Sequence, residues 1–411
     1  MIKYKSKKMI CCILPLLVLT GLLAIPKGIT ALESNGNGEM ENVRDKDPTA
    51  ELKSEVERQS GNMDFSDWQS YYEELKAFAG DSAEYASVDE MIQSIALSGS
   101  ELKAETVVEI LKDLFIPSLS SALRSMIGVA SIAILTGLLG IALGGEGGGT
   151  KAMLMLLLCS AAIMGITAVF SELAGSAAET MGRLEHFSAA STPILIGLLT
   201  ALGCAGSAKI LSPTLVFLSD GIIALVKSVI LPMLLATGVL TVVDGLTSGL
   251  KVARLVKLLT KSVKWLLGLA ATVYVAVTAI GGMTAGIADG VSIRTAKYAI
   301  DRLVPAAGGM VAGAVDAVIG SSLLLKNAAG TTAIILLVAI AVKPLLQLLG
   351  GMFAMRIAAA VCEPFSDERI PKMLDGMAET VSYLFASVAA VVSMFVVTMI
   401  IIISTGNMLI G

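Results

Sequence analysis

The sequence is poor in charge, in aromatic side chains and in histidine. Charged residues make up 16% of the 411 residues and aromatic residues 5%, whereas about 25% of an average soluble domain is charged. Apolar residues make up 55% of the chain, and its mean hydropathy is +0.81. These proportions exclude an ordinary soluble domain and indicate that lipid surrounds most of the chain.

The patterns that mark an enzyme or a metal site are also missing from the sequence. His186 is the one histidine, and a lone histidine in an amphipathic stretch is typical of a solvated or interface residue. The glycine-rich stretch 144–149 lacks the Lys-Ser/Thr ending with which a P-loop holds phosphates and magnesium, and there is no GxSxG motif. We therefore expect no catalysis and no cofactor, and any ATP-driven work would need an ATPase supplied by another chain.

The five cysteines form no recognisable framework. Cys11 and Cys12 lie in the N-terminal apolar segment, while Cys159, Cys204 and Cys362 stand singly among small and apolar residues without CxxC or Cys/His spacing. This distribution is typical of structural cysteines. Residues 32–115 contain no cysteine, which excludes a disulfide within that segment.

Long apolar runs are the main feature that the sequence does contain. A hydrocarbon core about 30 Å thick requires roughly 20 apolar residues in a helix. In lipid the backbone must pair internally, and runs without period-two alternation favour helices over a closed barrel. We predict an all-α, polytopic membrane domain over 116–411 with about seven to eight spans, some of them short or broken. It is built from the apolar tracts 116–143, 152–174, 193–243, 265–287, 328–350 and 380–405.

The N-terminus has the form of a secretory signal. Four lysines precede an apolar region from Met9 to Ile25, and Ile29-Thr30-Ala31 fits a cleavage site. We predict a signal peptide over 1–31 and export of the residues that follow; the alternative is an uncleaved first transmembrane helix. Residues 32–63 are polar and acidic, which is typical of a flexible linker.

Residues 64–115 have the pattern of a small helical module, which we expect to be extracytoplasmic. Capping-box patterns at 66–69, 87–90 and 98–101 each open a stretch of apolar residues at helical spacing. We expect the module's own core, or a membrane-interface contact, from the aromatic stripe of Trp68, Tyr71, Tyr72 and Phe78.

Charge is distributed unevenly along the chain. Residues 32–115 carry twenty acidic and seven basic residues, a net charge of −13, whereas 116–411 carry fourteen acidic and eighteen basic residues, a net charge of +4. This acidic balance argues against a nucleic-acid partner, because neutralising phosphates needs clustered Lys and Arg.

One basic cluster occurs over 251–264, where positive residues recur every three or four positions. The opposite face of this stretch is apolar, so it predicts an amphipathic helix on the cytoplasmic membrane surface, bound to anionic lipid headgroups. Its basic residues are Lys251, Arg254, Lys257, Lys261 and Lys264.

The tract 193–243 must cross the membrane an odd number of times if the module lies outside and the basic helix inside. One crossing leaves most of its fifty-one residues unused, so we prefer three crossings with breaks at 204–207, around Gly206, and at Ser212-Pro213. Asp220 and Lys227 lie seven residues, or about two helical turns, apart in this tract. Because charges in lipid are costly, we expect these two residues either to pair along a polar path or to lie at the membrane interface.

The C-terminal third contains a more specific pattern. The stretch 298–305 is followed by 316–319, by 322–330 and by Glu363-Pro364-Phe365. These stretches resemble the stage III sporulation protein AE family of endospore-forming bacteria, as does the layout of a signal, an extracytoplasmic helical stretch and many spans. The family-like motif includes Asp301, Arg302, Pro305, Lys326 and Asn327.

The resemblance implies a role in sporulation. It implies a component of the channel-like secretion complex that joins mother cell and engulfed forespore and sustains late forespore gene expression. It places that component in the mother-cell membrane, with other stage III sporulation membrane proteins as partners, and provides no catalytic residues.

Three mechanisms are open at this point. A permease-like subunit would place Asp220, Lys227, Asp316 and Lys326 along a conduit, whereas a scaffold would use such charges to fix helix packing. The third is an autonomous secondary transporter of a small solute.

Overall fold

The computed structural model is helical wherever it describes an element of secondary structure. It describes residues 48–61, 63–79, 85–98, 149–246, 252–303, 308–364 and 369–405, together with single residues between 120 and 138. The prediction of an all-α fold is confirmed for these residues. The predicted signal peptide and most of the tract 116–143 lie outside them.

Three short helices form an N-terminal module: α1 (Pro48–Ser60), α2 (Ser66–Ala79) and α3 (Val88–Ser98). Helix α1 falls within 32–63, so the linker prediction is wrong for this part of the segment. The helix forms although its sequence is polar, because Val56 and Ser60 are completely buried against the rest of the molecule. Tertiary packing here overrides the compositional signal.

The capping patterns of the module are realised in part. Ser87 accepts a hydrogen bond from the Glu90 N–H (3.3 Å), and the Glu90 carboxylate accepts one from the Ala86 N–H (2.7 Å), so α3 begins much as predicted. At α2 the prediction is wrong. Gln69 accepts a hydrogen bond from the N–H of Val88 (3.1 Å) and so serves the start of α3. The third pattern, at 98–101, extends into residues outside the described part of the chain.

Long helices form the rest of the described structure. They are α4 (Gly149–Ala201), α5 (Ala205–Leu225), a π-helical segment (Val226–Ile230), α6 (Leu231–Leu246), α7 (Ala253–Leu303), α8 (Gly308–Cys362) and α9 (Arg369–Ser404). At 53 residues, α4 is about 80 Å long, far more than a hydrocarbon core of about 30 Å requires. Among the described residues, five stretches are long and apolar enough to cross a membrane: Leu157–Ala201, Asp220–Gly245, Ala253–Ile280, Val318–Cys362 and Arg369–Ser404.

The break in the tract 193–243 lies at Gly203. The N–H of Cys204 bonds to the carbonyl of Leu199 (3.1 Å), the N–H of Gly203 bonds to that of Thr200 (2.9 Å), and Gly203 has φ 79°, so a Schellman motif ends α4. The predicted break at 204–207 is confirmed at its first residue, because Cys204 lies between α4 and α5, although Gly206 itself is inside α5. The predicted break at Ser212-Pro213 is wrong, because both residues lie inside α5. A glycine can adopt the left-handed conformation that ends a helix, whereas a proline in an apolar helix is tolerated when neighbouring helices support it.

The long helices pack side by side around a shared apolar core. Helix α8 runs antiparallel to α4 and to α9, while α7 runs parallel to α9. For α8 and α4 the direction follows from the pairs Ser176–Gln347 and Leu173–Gly351. For α8 and α9 it follows from the pair Lys326–Ile403, together with the short connection from Cys362 to Arg369 at the other end. For α7 and α9 it follows from the pairs Lys264–Glu379 and Tyr274–Met394. Helix α9 is the most enclosed span, with 56% of its most apolar stretch buried, against 17% for α7. Helix α7 therefore lies at the periphery of the bundle.

The predicted basic helix is continuous with α7. No break separates its basic residues from the apolar residues that follow, so they form the first turns of a 51-residue helix rather than a separate element. Arg254, Lys257, Lys261 and Lys264 are exposed, and Lys251 lies outside the described residues. The placement of these turns against the membrane surface stays a prediction.

Candidate functional site

Lys326 is the most deeply buried charged side chain in the described part of the protein. Its exposed fraction is 0%, and its ammonium group donates hydrogen bonds to the carbonyl oxygens of Ile403 (2.8 Å) and Thr405. These carbonyls belong to the last turn of α9 and its end, where a helix leaves acceptors unpaired and carries partial negative charge. The lysine of α8 therefore caps α9.

Further polar side chains continue along α8 from Lys326. Ser321 and Ser322 are both completely buried and are joined to α1 through Gln59, at 3.3 Å and 2.8 Å. The side-chain oxygen of Asn327 is buried without a hydrogen-bond partner among the described residues. This end of α8 thus meets both the N-terminal module and the end of α9.

Lys227 lies in the π-helical segment and pairs with a residue that the sequence did not indicate. Its ammonium group donates to a carboxylate oxygen of Glu185 on α4 at 2.6 Å, and both side chains are nearly half exposed. Asp220 is exposed on α5. The π-helical segment begins at Val226, so Lys227 lies at its start, directly after α5.

The N-terminal module is fixed to α4 by one ion pair and an aromatic cluster. Arg183 of α4 forms an ion pair with Glu74 of α2. The ring of Phe187 lies 5.4 Å from Tyr71 in an edge-to-face arrangement and 6.1 Å from Trp68. Trp68 and Phe187 are completely buried, so the aromatic stripe forms a core that the module shares with the bundle.

Ionisable groups of the module respond to local contacts. Hydrogen bonds from the Ser66 side chain and backbone lower the pKa of Asp64, whose carboxylate accepts the Ser66 N–H at 3.0 Å. Partial burial, and then the charge of Asp64, raise the pKa of Asp89. The surroundings of Asp64 therefore stabilise its charged form, whereas those of Asp89 disfavour the charged form.

This arrangement can be compared with known proteins. The sequence model of the family described as Stage III sporulation protein AE matches residues 86–406, which is most of the chain. The chain belongs to the stage III sporulation protein AE family. The resemblance found in the sequence is thereby confirmed, and with it the prediction of a sporulation protein embedded in a membrane.

A relative in the family is the Stage III sporulation protein AE of Bacillus subtilis (strain 168). It is 32% identical over 232 residues, which cover 56% of this chain and 58% of the relative. The match thus spans less than two thirds of that protein. No solved structure matches the chain.

The structure describes only part of the family-like motif. Asp301 and Arg302 lie near the end of α7 and Asp316 lies in α8, but their side chains are outside the described part, as is Pro305 altogether. The side chains of Lys326 and Asn327 are described. Lys326 donates hydrogen bonds to the end of α9, whereas the side-chain oxygen of Asn327 has no partner among the described residues. The four charges expected along one conduit are not brought together where the structure describes them, because Lys326 caps a helix end and Lys227 pairs on the outer face of the bundle.

No metal or enzyme centre is assembled by the described residues. No group of three His, Cys, Asp or Glu side chains in this part of the protein is placed to hold a metal ion. Cys204 and Cys362 are buried, Cys159 is partly exposed, and all three are free thiols. The family is one of sporulation membrane proteins, and the absence of catalysis stays a prediction.

Several residues of the site were missed in the sequence, namely Glu74, Arg183, Glu185, Phe187 and Tyr274. Each has its partner on another helix. The partner of Glu185 lies 42 residues away along the chain, and that of Tyr274 lies 120 residues away. One signal was available for the α4 residues, since the charges at 183 and 185 interrupt an otherwise apolar helix. That signal indicates a contact but does not name the partner.

Proposed function

We propose that this protein is a multi-pass subunit of the stage III sporulation complex that links mother cell and forespore and supports late forespore gene expression. Within that complex it works as a scaffold without catalysis of its own. The observation that carries the scaffold role is the fixed attachment of the N-terminal module to both α4 and α8. A module held at several points presents its outer acidic surface to partners in one orientation.

The positions of the charges favour a scaffold over a conduit. Lys326 stabilises the end of α9, and Lys227 and Glu185 join two helices, so each of these charges has a packing role. A scaffold needs such contacts, because buried polar groups fix which helices meet and in which register. The partners in this proposal are other stage III sporulation membrane proteins and an ATPase supplied by another chain.

The orientation follows from the distribution of charge. The exposed basic turns at the start of α7 would face anionic headgroups on the cytoplasmic side, as the positive-inside rule expects. The module would then lie on the extracytoplasmic side of the mother-cell membrane. Labelling of a single cysteine at position 57, an exposed position of α1, from the cytoplasmic side would contradict this orientation.

A charge-swap experiment tests the scaffold role. In an endospore-forming host with this protein as the only family member, Arg183→Glu and Glu74→Arg should each reduce late forespore reporter expression and co-purification of other stage III proteins. The double swap should restore both measurements, because the ion pair is re-formed with reversed polarity. Arg58→Glu is the control, since Arg58 pairs with Glu55 inside α1 and its side chain is 70% exposed.

The other mechanisms predict different outcomes. A conduit predicts that Asp220→Asn combined with Asp316→Asn leaves assembly intact but abolishes transport, and this pair leaves the Lys326 cap untouched. An autonomous transporter predicts uptake of a small solute by the purified protein in liposomes. Normal assembly and normal reporter expression in both single charge-swap variants would refute the scaffold proposal.

A further inference from the structure

A small cavity lies where α4, α5, α7 and α9 meet. Its volume is about 20 Å³, and apolar side chains such as Leu195, Ile222 and Phe395 form most of its wall. Four hydroxyl-bearing residues also line it: Ser188, Thr192, Tyr274 and Thr398. A cavity needs about 10–15 Å³ to hold a water molecule, so this one has room for one.

The hydroxyl hydrogens around the cavity are largely committed to protein acceptors. Tyr274 donates to the carbonyl of Met394 at 2.5 Å, and Thr192 donates to the carbonyl of Ser188 at 2.8 Å. Thr398 and Tyr274 are 3.0 Å apart, and since the single Tyr274 proton is already used, Thr398 donates in this pair. The oxygen lone pairs of these groups remain as acceptors beside the cavity.

Ser188 is the exception. Its side chain is 1% exposed, it lines the cavity, and its hydroxyl makes no hydrogen bond to another residue in the described part of the protein. A buried hydroxyl without a partner is destabilising, because it has lost its hydrogen bonds to water. The cavity thus combines one unused donor with several unused acceptors, which is the hydrogen-bonding complement of water.

We propose that this cavity binds one ordered water molecule, which links Ser188 of α4 to Thr398 of α9 beside Tyr274 of α7. A water is favoured over a small cation because no carboxylate is among the lining residues, and an uncompensated charge is costly in such a site. Tyr274 and Met394 form a hydrophobic cluster separate from the main core. The water therefore sits where the peripheral helix α7 joins the bundle.

A double-mutant cycle tests the link in the full-length protein in detergent. Ser188→Ala and Thr398→Val should show a coupling of about threefold or more in the unfolding equilibrium constant, although no direct hydrogen bond joins the two side chains. The matched control pairs Ser191→Ala with Thr398→Val. Ser191 is on the same helix, is completely buried and has no hydrogen-bond partner among the described residues, but it does not line the cavity, so its coupling should be close to onefold.

Three outcomes would overturn the proposal. The first is no coupling in the Ser188 cycle, and the second is equal coupling in the control cycle. The third is a protein that is more stable in sodium chloride than in choline chloride, with Ser188→Ala removing the difference, because this would identify a bound cation. If Thr398→Val does not fold, a high-resolution density map decides. It should show a water within hydrogen-bonding distance of the Ser188 oxygen, and an empty cavity there would equally refute the proposal.

Discussion

At the scale of single residues, Lys326 shows how an apolar bundle can contain a buried charge. The carbonyl oxygens at the end of α9 need donors, and the helix places partial negative charge at that point. A lysine from α8 supplies both the donors and the opposite charge. The sequence marks the residue as unusual in its apolar surroundings. Its role as a cap, however, depends on Ile403 near the end of α9, which lies 77 residues away along the chain.

We predict that Lys326→Met lowers the free energy of unfolding by about 1–3 kcal/mol, because the carbonyls of Ile403 and Thr405 lose their buried donor. Thermal unfolding in detergent measures this change. Lys209→Met is the control, since Lys209 is exposed on α5, and it should have little effect. Equal stability of the two variants would contradict a capping role.

A second residue-scale prediction concerns acid. The pKa of Asp64 is lowered by its hydrogen bonds to Ser66, so its folded pKa lies below the unfolded value of about 3.9. Its contribution to stability is therefore present above that pH and is lost as pH falls through the folded pKa. In a Trp265→Phe background, Trp68 fluorescence should report a stability of the module that falls on acidification below about pH 4. Asp64→Ala should flatten that decline; an unchanged pH profile would argue against the assignment.

At the scale of the helices, close packing is fixed by glycines whose missing side chain leaves room for a neighbour. A Cβ at Gly238 of α6 would overlap the ring of Phe170 on α4, and one at Gly376 of α9 would overlap Thr241 on α6. Gly203 acts differently, since its backbone conformation ends α4. Glycines with the same appearance in the sequence therefore have packing, terminating or neutral roles.

The contrast between Gly238 and Gly221 gives a prediction. Gly238→Ala should destabilise the protein by about 1–3 kcal/mol, because Phe170 is 4% exposed and its rigid ring has little room to move. Gly221→Ala should instead leave stability unchanged or raise it by up to about 1 kcal/mol, since nothing lies within 4 Å of its added Cβ in α5. The denaturation midpoint of Gly238→Ala should lie below that of the wild type, and the midpoint of Gly221→Ala at or above it. An unchanged midpoint for Gly238→Ala would show that α4 and α6 are not packed this closely.

At the scale of the whole molecule, the N-terminal module and the membrane bundle form one connected core. Buried residues of the module, including Trp68, Tyr72 and Ile92, belong to the same hydrophobic cluster as those of the long helices. Helix α7 is the contrasting element, with exposed Trp265, Val275 and Ile280 along its length. The molecule thus has an enclosed side, which the module covers, and an apolar side that lipid or another subunit would cover.

We predict that Phe187→Ala detaches the module. Truncating a buried phenylalanine costs about 3–5 kcal/mol, and Phe187 contacts both Trp68 and Tyr71. Hydrogen–deuterium exchange of α2 should increase much more than exchange of α9. Phe353→Ala, which removes a ring that is 42% exposed on α8, should leave α2 protected. Unchanged exchange in α2 after Phe187→Ala would mean that other contacts suffice to hold the module.

The sequence was sufficient wherever the governing interactions are local or compositional. Helices, the membrane setting and the start of α3 at Ser87 all follow from hydropathy, periodicity and capping within a few residues. The family-like motif around Lys326 could also be recognised in the sequence, because it consists of neighbouring residues. The break at Cys204 was also predicted, and Gly203 has the form of a common stop signal, a glycine after an apolar helical run. Pro213, by contrast, lies inside α5 and does not end it.

Tertiary structure alone decided which distant groups meet. Lys227 could have paired with Asp220 by helical spacing, but its ammonium group binds Glu185 of α4, which lies 42 residues away along the chain. Residues 48–60 are polar enough for a linker, and they become a helix because α8 buries one of their faces. Local patterns fix backbone conformation through neighbours along the chain, whereas the partner of a side chain depends on how complete helices pack, and no short stretch of sequence contains that information.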